Sequence, residues 1–127
     1  MKNLYAVLNH TELLENENDH IMVRITLQGD RKKVTINAMV DSEATEDFID
    51  KAICEKYGIE TTRSKVKREI YLADGKPSTM GPVTHTAIVP MEIGSYRESA
   101  TFQVANLQNH KAILGMPWLR NHNPHVQ

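Results

Sequence analysis

Val34-Thr35-Ile36-Asn37-Ala38-Met39-Val40-Asp41-Ser42-Glu43-Ala44-Thr45 is the stretch on which the fold turns. Its first seven residues alternate, with Val34, Ile36, Ala38 and Val40 on one face, which is the period of a half-buried strand. The apolar pattern stops at a carboxylate, Asp41, which is followed by short side chains and two hydroxyls. Taken alone, an acid at a strand end is an ordinary turn residue, and Ser42 and Thr45 are ordinary loop hydroxyls that bond nearby backbone. What surrounds the stretch changes its meaning.

Upstream, Ile21, Val23, Ile25 and Leu27 fall on one face, with Met22, Arg24, Thr26 and Gln28 on the other. Gly29-Asp30 supplies turn chemistry, so the two runs form a hairpin that delivers Asp41 at its far end. Residues 1 to about 19 are polar and acidic after Leu14, and read as a flexible leader ahead of a folded unit over 20–127. Downstream, Phe48 and Ile49 are expected to be buried. Ile49, Ile53 and Tyr57 repeat at helical spacing before Gly58, a helix-ending residue, and Asp47 or Asp50 is placed to cap that helix.

Strand spacing returns at Val66, Arg68, Ile70 and Leu72, breaks at Asp74-Gly75-Lys76-Pro77, and resumes through Val83 to Ile88 and Val89. A third hairpin is centred on Gly94-Ser95, with Ala100, Phe102 and Val104 alternating beyond it. Ala112-Ile113-Leu114-Gly115 is a short apolar strand, and Pro117 suits the first turn of a closing helix. Several short strands with one or two short helices predict an all-β barrel or sandwich.

The bulk numbers exclude other classes. At 127 residues the chain is one domain. Its 15 Lys and Arg against 16 Asp and Glu leave a net charge of −1, which gives no electrostatic footprint for nucleic acid or for an anionic membrane. No apolar run approaches the roughly 20 residues needed to cross a bilayer, and no secretory signal pattern stands at the start, so the chain reads as intracellular and cytoplasmic. The single Cys54 agrees with a reducing compartment, and within an amphipathic helix it reads as a core or boundary residue rather than a nucleophile. His122 and His125 stand three apart with no Cys or carboxylate cluster at ligand spacing, so neither a metal nor another cofactor is expected. Trp118 reads as a core anchor.

Three segments in order resemble the retropepsin-like aspartic proteases of gypsy-type retrotransposons. They are the Asp41-Ser42-Glu43-Ala44-Thr45 loop after an apolar strand, the hairpin tip at Asp74-Gly75, and Ile113-Leu114-Gly115-Met116-Pro117-Trp118-Leu119 with His122-Asn123-Pro124. The resemblance runs over most of residues 20–124. It implies a small closed barrel and peptide hydrolysis by two carboxylates that share one proton. Like charges a few ångströms apart cannot both ionise cheaply. One domain of this length offers one such acid, so the resemblance implies a homodimer whose two Asp41 residues meet at a symmetry axis.

By the same resemblance, Ser42 bonds across that axis, and Glu43, Ala44 and Thr45 line the channel for an extended peptide or polyprotein substrate. Asp74 and Gly75 form a flap over that substrate, while Ile113, Leu114 and Gly115 support the loop from beneath. Glu43 departs from the family's pattern, which has Gly there. A side chain removes the freedom to adopt unusual backbone angles, and in a dimer it adds two carboxylates beside the dyad. Glu43 can also turn out to solvent at little cost. Two functions follow: an endopeptidase from a retrotransposon polyprotein, or a catalytically silent module that keeps the dimeric fold for binding or assembly.

Overall fold

The computed structural model describes residues 13–15, 21–68 and 82–122. The strands are β1 (Leu13–Glu15), β2 (Ile21–Gln28), β3 (Lys33–Val40), β4 (Phe48–Asp50), β5 (Thr62–Arg68), β6 (Val83–Ile93), β7 (Tyr96–Ala105) and β8 (Ala112–Leu114). Two helices accompany them, α1 (Lys51–Tyr57) and α2 (Met116–His122). The sheet order is β1-β2-β3-β8-β4-β7-β6-β5, and β2 also pairs with β6. The six strands from β2 round to β6 therefore close into a barrel, joined where Thr26 and Leu27 face Glu92 and Met91. Strands β1 and β5 lie outside the ring. The closed all-β architecture with two short helices is the one expected.

The alternating positions fill the barrel. Val23, Ile25 and Leu27 of β2, Ile36 and Ala38 of β3, Val89 and Met91 of β6, and Phe102 of β7 are all buried in one cluster. Each large side chain removed from water in this way contributes about 1.5–3 kcal/mol. Met39 breaks the alternation, because β3 is covered on both sides near its end. It joins Phe48, Val83, Ala105, Leu107 and Ile113 in a second, smaller cluster beside the Asp41 loop.

The expected β2–β3 and β6–β7 hairpins form, with β6 one continuous strand that also carries β5. Strand β5 begins at Thr62, ahead of the expected Val66. Most of the leader, and Ile70, Leu72 and the 74–77 tip, lie outside the described residues; within the leader, β1 pairs antiparallel with β2.

Helix α1 ends as expected at Gly58, whose φ of 68° lets its amide turn back to the Cys54 carbonyl. A Cβ at this position would sit 2.8 Å from the Cβ of Asp30. Gly58→Ala is expected to cost about 1–2 kcal/mol and to lower the melting temperature by about 5 °C or more. An unchanged thermal unfolding curve would contradict this reading of the cap.

The expected capping role is corrected. Asp50 occupies the N-cap of α1 but makes no side-chain cap bond. Its Oδ1 accepts from the Leu107 amide at 2.9 Å, and Asp47 is separated from the helix by β4 and bonds elsewhere. Both carboxylates tie loops together instead.

Candidate active site

Strands β3 and β8 run parallel, with Val40 opposite Leu114. The register continues one step past β3, where the Asp41 amide donates to the Leu114 carbonyl at 3.0 Å. The loop then turns on itself. The Ala44 amide donates to the Asp41 carbonyl at 3.1 Å, and the Glu43 amide donates to Asp41 Oδ1 at 2.9 Å. A carboxylate that accepts an amide two residues on is a local turn device, and here it also fixes the direction of the candidate acid.

The far side of the loop is held by three elements. The Met116 amide of α2 donates to the Ala44 carbonyl at 2.8 Å, the Gln103 amide of β7 donates to the Asp47 carbonyl at 2.8 Å, and the Gly115 amide donates to Asp47 Oδ1 at 2.7 Å. Gly115 lies so close under the loop that a Cβ there would meet the Glu46 carbonyl oxygen at 2.3 Å and that of Ala44 at 2.7 Å.

Asp41, Ser42, Glu43, Ala44 and Thr45 thus share one loop with Gly115 against it. Asp41 and Ala44 are half-buried, while Ser42, Glu43 and Thr45 are exposed. Leu114 enters the barrel core and Ile113 the smaller cluster. Asp74, Gly75, Asn123 and Pro124 lie outside the described residues. Glu43 does not need a glycine's backbone angles, since Gln108 is the one non-glycine residue at positive φ among those described. The expected backbone obstacle at 43 is therefore absent, and what remains is its charge.

Asp47 is the residue that sequence reasoning missed as part of the site. Burial pushes its carboxyl up to about 6; the Gly115 and Trp118 amides pull the other way, and Glu98 and Glu46 add to the rise. Its signal was available only in part: an acid immediately before the apolar pair Phe48-Ile49. His122 has a structural partner, with Nε2 2.5 Å from Glu98 Oε2 and its ring edge-on to Tyr96 and tilted against Trp118. Cys54 is buried, and desolvation pushes its thiol up to about 11, which keeps it from acting as a thiolate. Among the described residues no His, Cys, Asp and Glu group is arranged to hold a metal ion, and no helix is long and apolar enough to cross a membrane.

Comparison with known proteins agrees with this geometry. The protease from EIAV, in complex with the inhibitor HBY-793, superposes with a TM-score of 0.55 at 16% identity, over 85% of this chain and 92% of that one. A retropepsin-like aspartic protease from Rickettsia conorii gives 0.57 at 18% identity, over 82% and 73%. The retroviral protease-like domain of Ddi1 from Leishmania major gives 0.50 at 17%, over 80% and 75%. These likenesses establish the fold. A family model described as the PEG10/RTL1 protease domain matches residues 37–127, from the middle of β3 through the Asp41 loop, β8 and α2 to the last residue. A barrel closed as in retropepsins, with that match across most of its length, makes this chain a member of the PEG10/RTL1 protease domain family, whose members are retrotransposon-derived and retropepsin-like.

Proposed function

We propose that the domain is an aspartic endopeptidase that acts as a homodimer, activating water between Asp41 of one protomer and Asp41 of its partner to cut an extended segment of a retrotransposon polyprotein. The observation that carries this reading is the double fixing of Asp41, by the Leu114 carbonyl at its backbone and the Glu43 amide at its carboxylate. A pair of carboxylates sharing a proton needs such rigidity, because a loose pair would separate and both would ionise. Ser42 bonds across the axis and Ala44 and Thr45 border the substrate. The tip at Asp74-Gly75 closes over it and adds strand-like hydrogen bonds. The chemistry needs no cofactor and the site is expected to work in the cytoplasm.

Glu43 is exposed, and two copies would flank the dyad. Their charge repels acidic residues of a substrate, so cleavage is expected to be poor for acidic peptides. Glu43→Gly is expected to speed cleavage of acidic peptides several-fold. The test is digestion of a peptide library between pH 4 and 8 by both proteins, with sedimentation to establish the dimer and Asp41→Asn as the blank. Cleavage by Glu43→Gly alone would assign the native chain to the silent binding module. An obligate monomer that still cleaves would refute the dyad.

A further inference from the structure

Asp47 is half-buried where the Asp41 loop, β7 and α2 meet. Its Oδ1 accepts the Gly115 amide at 2.7 Å and its carboxyl also takes the Trp118 amide, so one side chain holds the turn from β8 into α2. Its own carbonyl receives the Gln103 amide from β7. The same turn holds the candidate acid, because Leu114 carries the carbonyl that accepts the Asp41 amide and Met116 the amide that binds Ala44. No room exists for slack between them, given the Gly115 contact with the loop carbonyls.

We propose that Asp47 is a positioning residue whose charge state sets how firmly the Asp41 loop is attached to β8 and α2. The proposal deepens the endopeptidase reading and rests on it for its role in hydrolysis. The charged groups that face Asp47 are Glu46 on its own loop and Glu98 on β7, and Glu98 is in turn bonded to His122 of α2. As an anion, Asp47 gains from two amide donors but is repelled by both glutamates and is partly desolvated. As a neutral acid it keeps an acceptor oxygen for Gly115, loses the repulsion and gains an O–H to donate. The two amide bonds are stronger to the anion, while burial and the two glutamates favour the neutral acid and prevail, which leaves a carboxyl that titrates at about 6 rather than 3.8.

The sign follows from linkage. Between about 6 and 3.8 the folded chain holds a proton on this group that the unfolded chain does not. Its contribution to folding stability therefore grows as pH falls from the upper value toward the lower one, and is absent above it.

The test is an NMR titration of the dimeric protein, read together with cleavage rates. The amides of Gly115, Glu43 and Ala44 are expected to shift with one common midpoint near 6. That shared inflection should vanish in Asp47→Asn and persist in Asp41→Asn. Asp47→Asn, which retains an acceptor and cannot titrate, should keep kcat at pH 5 within about threefold while losing the corresponding step in its pH profile. Asp47→Leu, which has no acceptor, should lose about tenfold or more in both kcat and loop amide protection, with KM much less affected. Loop amides that ignore the Asp47 titration overturn the proposal, and so does a pH profile that Asp47→Asn leaves intact. A shared inflection in a protein that cuts nothing upholds the clamp and removes the endopeptidase reading alone.

Discussion

Asp41→Asn is expected to yield a folded dimer that does not cut peptides. Asparagine keeps an Oδ1 for the Glu43 amide, now at 2.9 Å, and its backbone still donates to Leu114, so stability should stay within about 0.5 kcal/mol of the parent. The chemistry is lost twice over, because a dimer of the variant has neither a base for the water nor an acid for the scissile carbonyl. A positioned acid or base is worth about 10²–10⁴ in rate, so kcat/KM should fall by about 10⁴ or more. Mixing sharpens the test. Added to a fixed amount of parent protein, the variant should poison cleavage by drawing active protomers into dimers with one acid. A rate that stays constant during that titration would mean that each chain works alone.

Gly115→Ala is expected to be the most damaging single methyl in the domain. Its Cβ would have to share space with two backbone carbonyl oxygens, those of Glu46 and Ala44 at 2.3 and 2.7 Å, and backbone cannot rotate aside as a side chain can. Relief requires moving the loop away from β8, which lengthens the Asp41–Leu114, Ala44–Met116 and Asp47–Gly115 hydrogen bonds together. Losing or straining three such bonds costs about 2–4 kcal/mol, and displacing the acid by an ångström costs about a further hundredfold in rate. Urea unfolding and peptide cleavage measure the two effects. Ile113→Val, two residues away in the smaller cluster, removes one methylene and serves as the control at about 0.5–1.5 kcal/mol. Equal urea midpoints for Gly115→Ala and the parent would show that the loop is not wedged in this way.

The hairpins were legible because period and turn chemistry are local properties. Ile21 to Leu27, Gly29-Asp30 and Val34 to Val40 suffice for β2 and β3, and Gly58 for the end of α1. Strand β4 was not legible, since Phe48-Ile49-Asp50 is too short to carry a period. Nor were the parallel pairings of β3 with β8 and β4 with β7, which join segments far apart in the chain. At the candidate site, Asp41 and Gly115 were proposed from the order of motifs, and the structure brings Gly115 against the loop that carries Asp41. Asp47 was offered, with Asp50, as a helix cap because an acid shortly before a helix normally is one. Its burial comes from β7 and α2, which no window around residue 47 contains. For Glu43, the sequence exposed the charge but could not tell that the turn suits an ordinary L-residue.

The anchors of the Asp41 loop come from the far end of the barrel, at β8 and the turn after it. Asp47 waits for Gly115, 68 positions later, and Asp41 waits for Leu114. Translation delivers the acid early and its supports late, and closing so long a chain segment is slow compared with forming a hairpin. On the ribosome the loop therefore stays unanchored until nearly the whole barrel has emerged, and the direction of synthesis itself works as a timer on when the site matures.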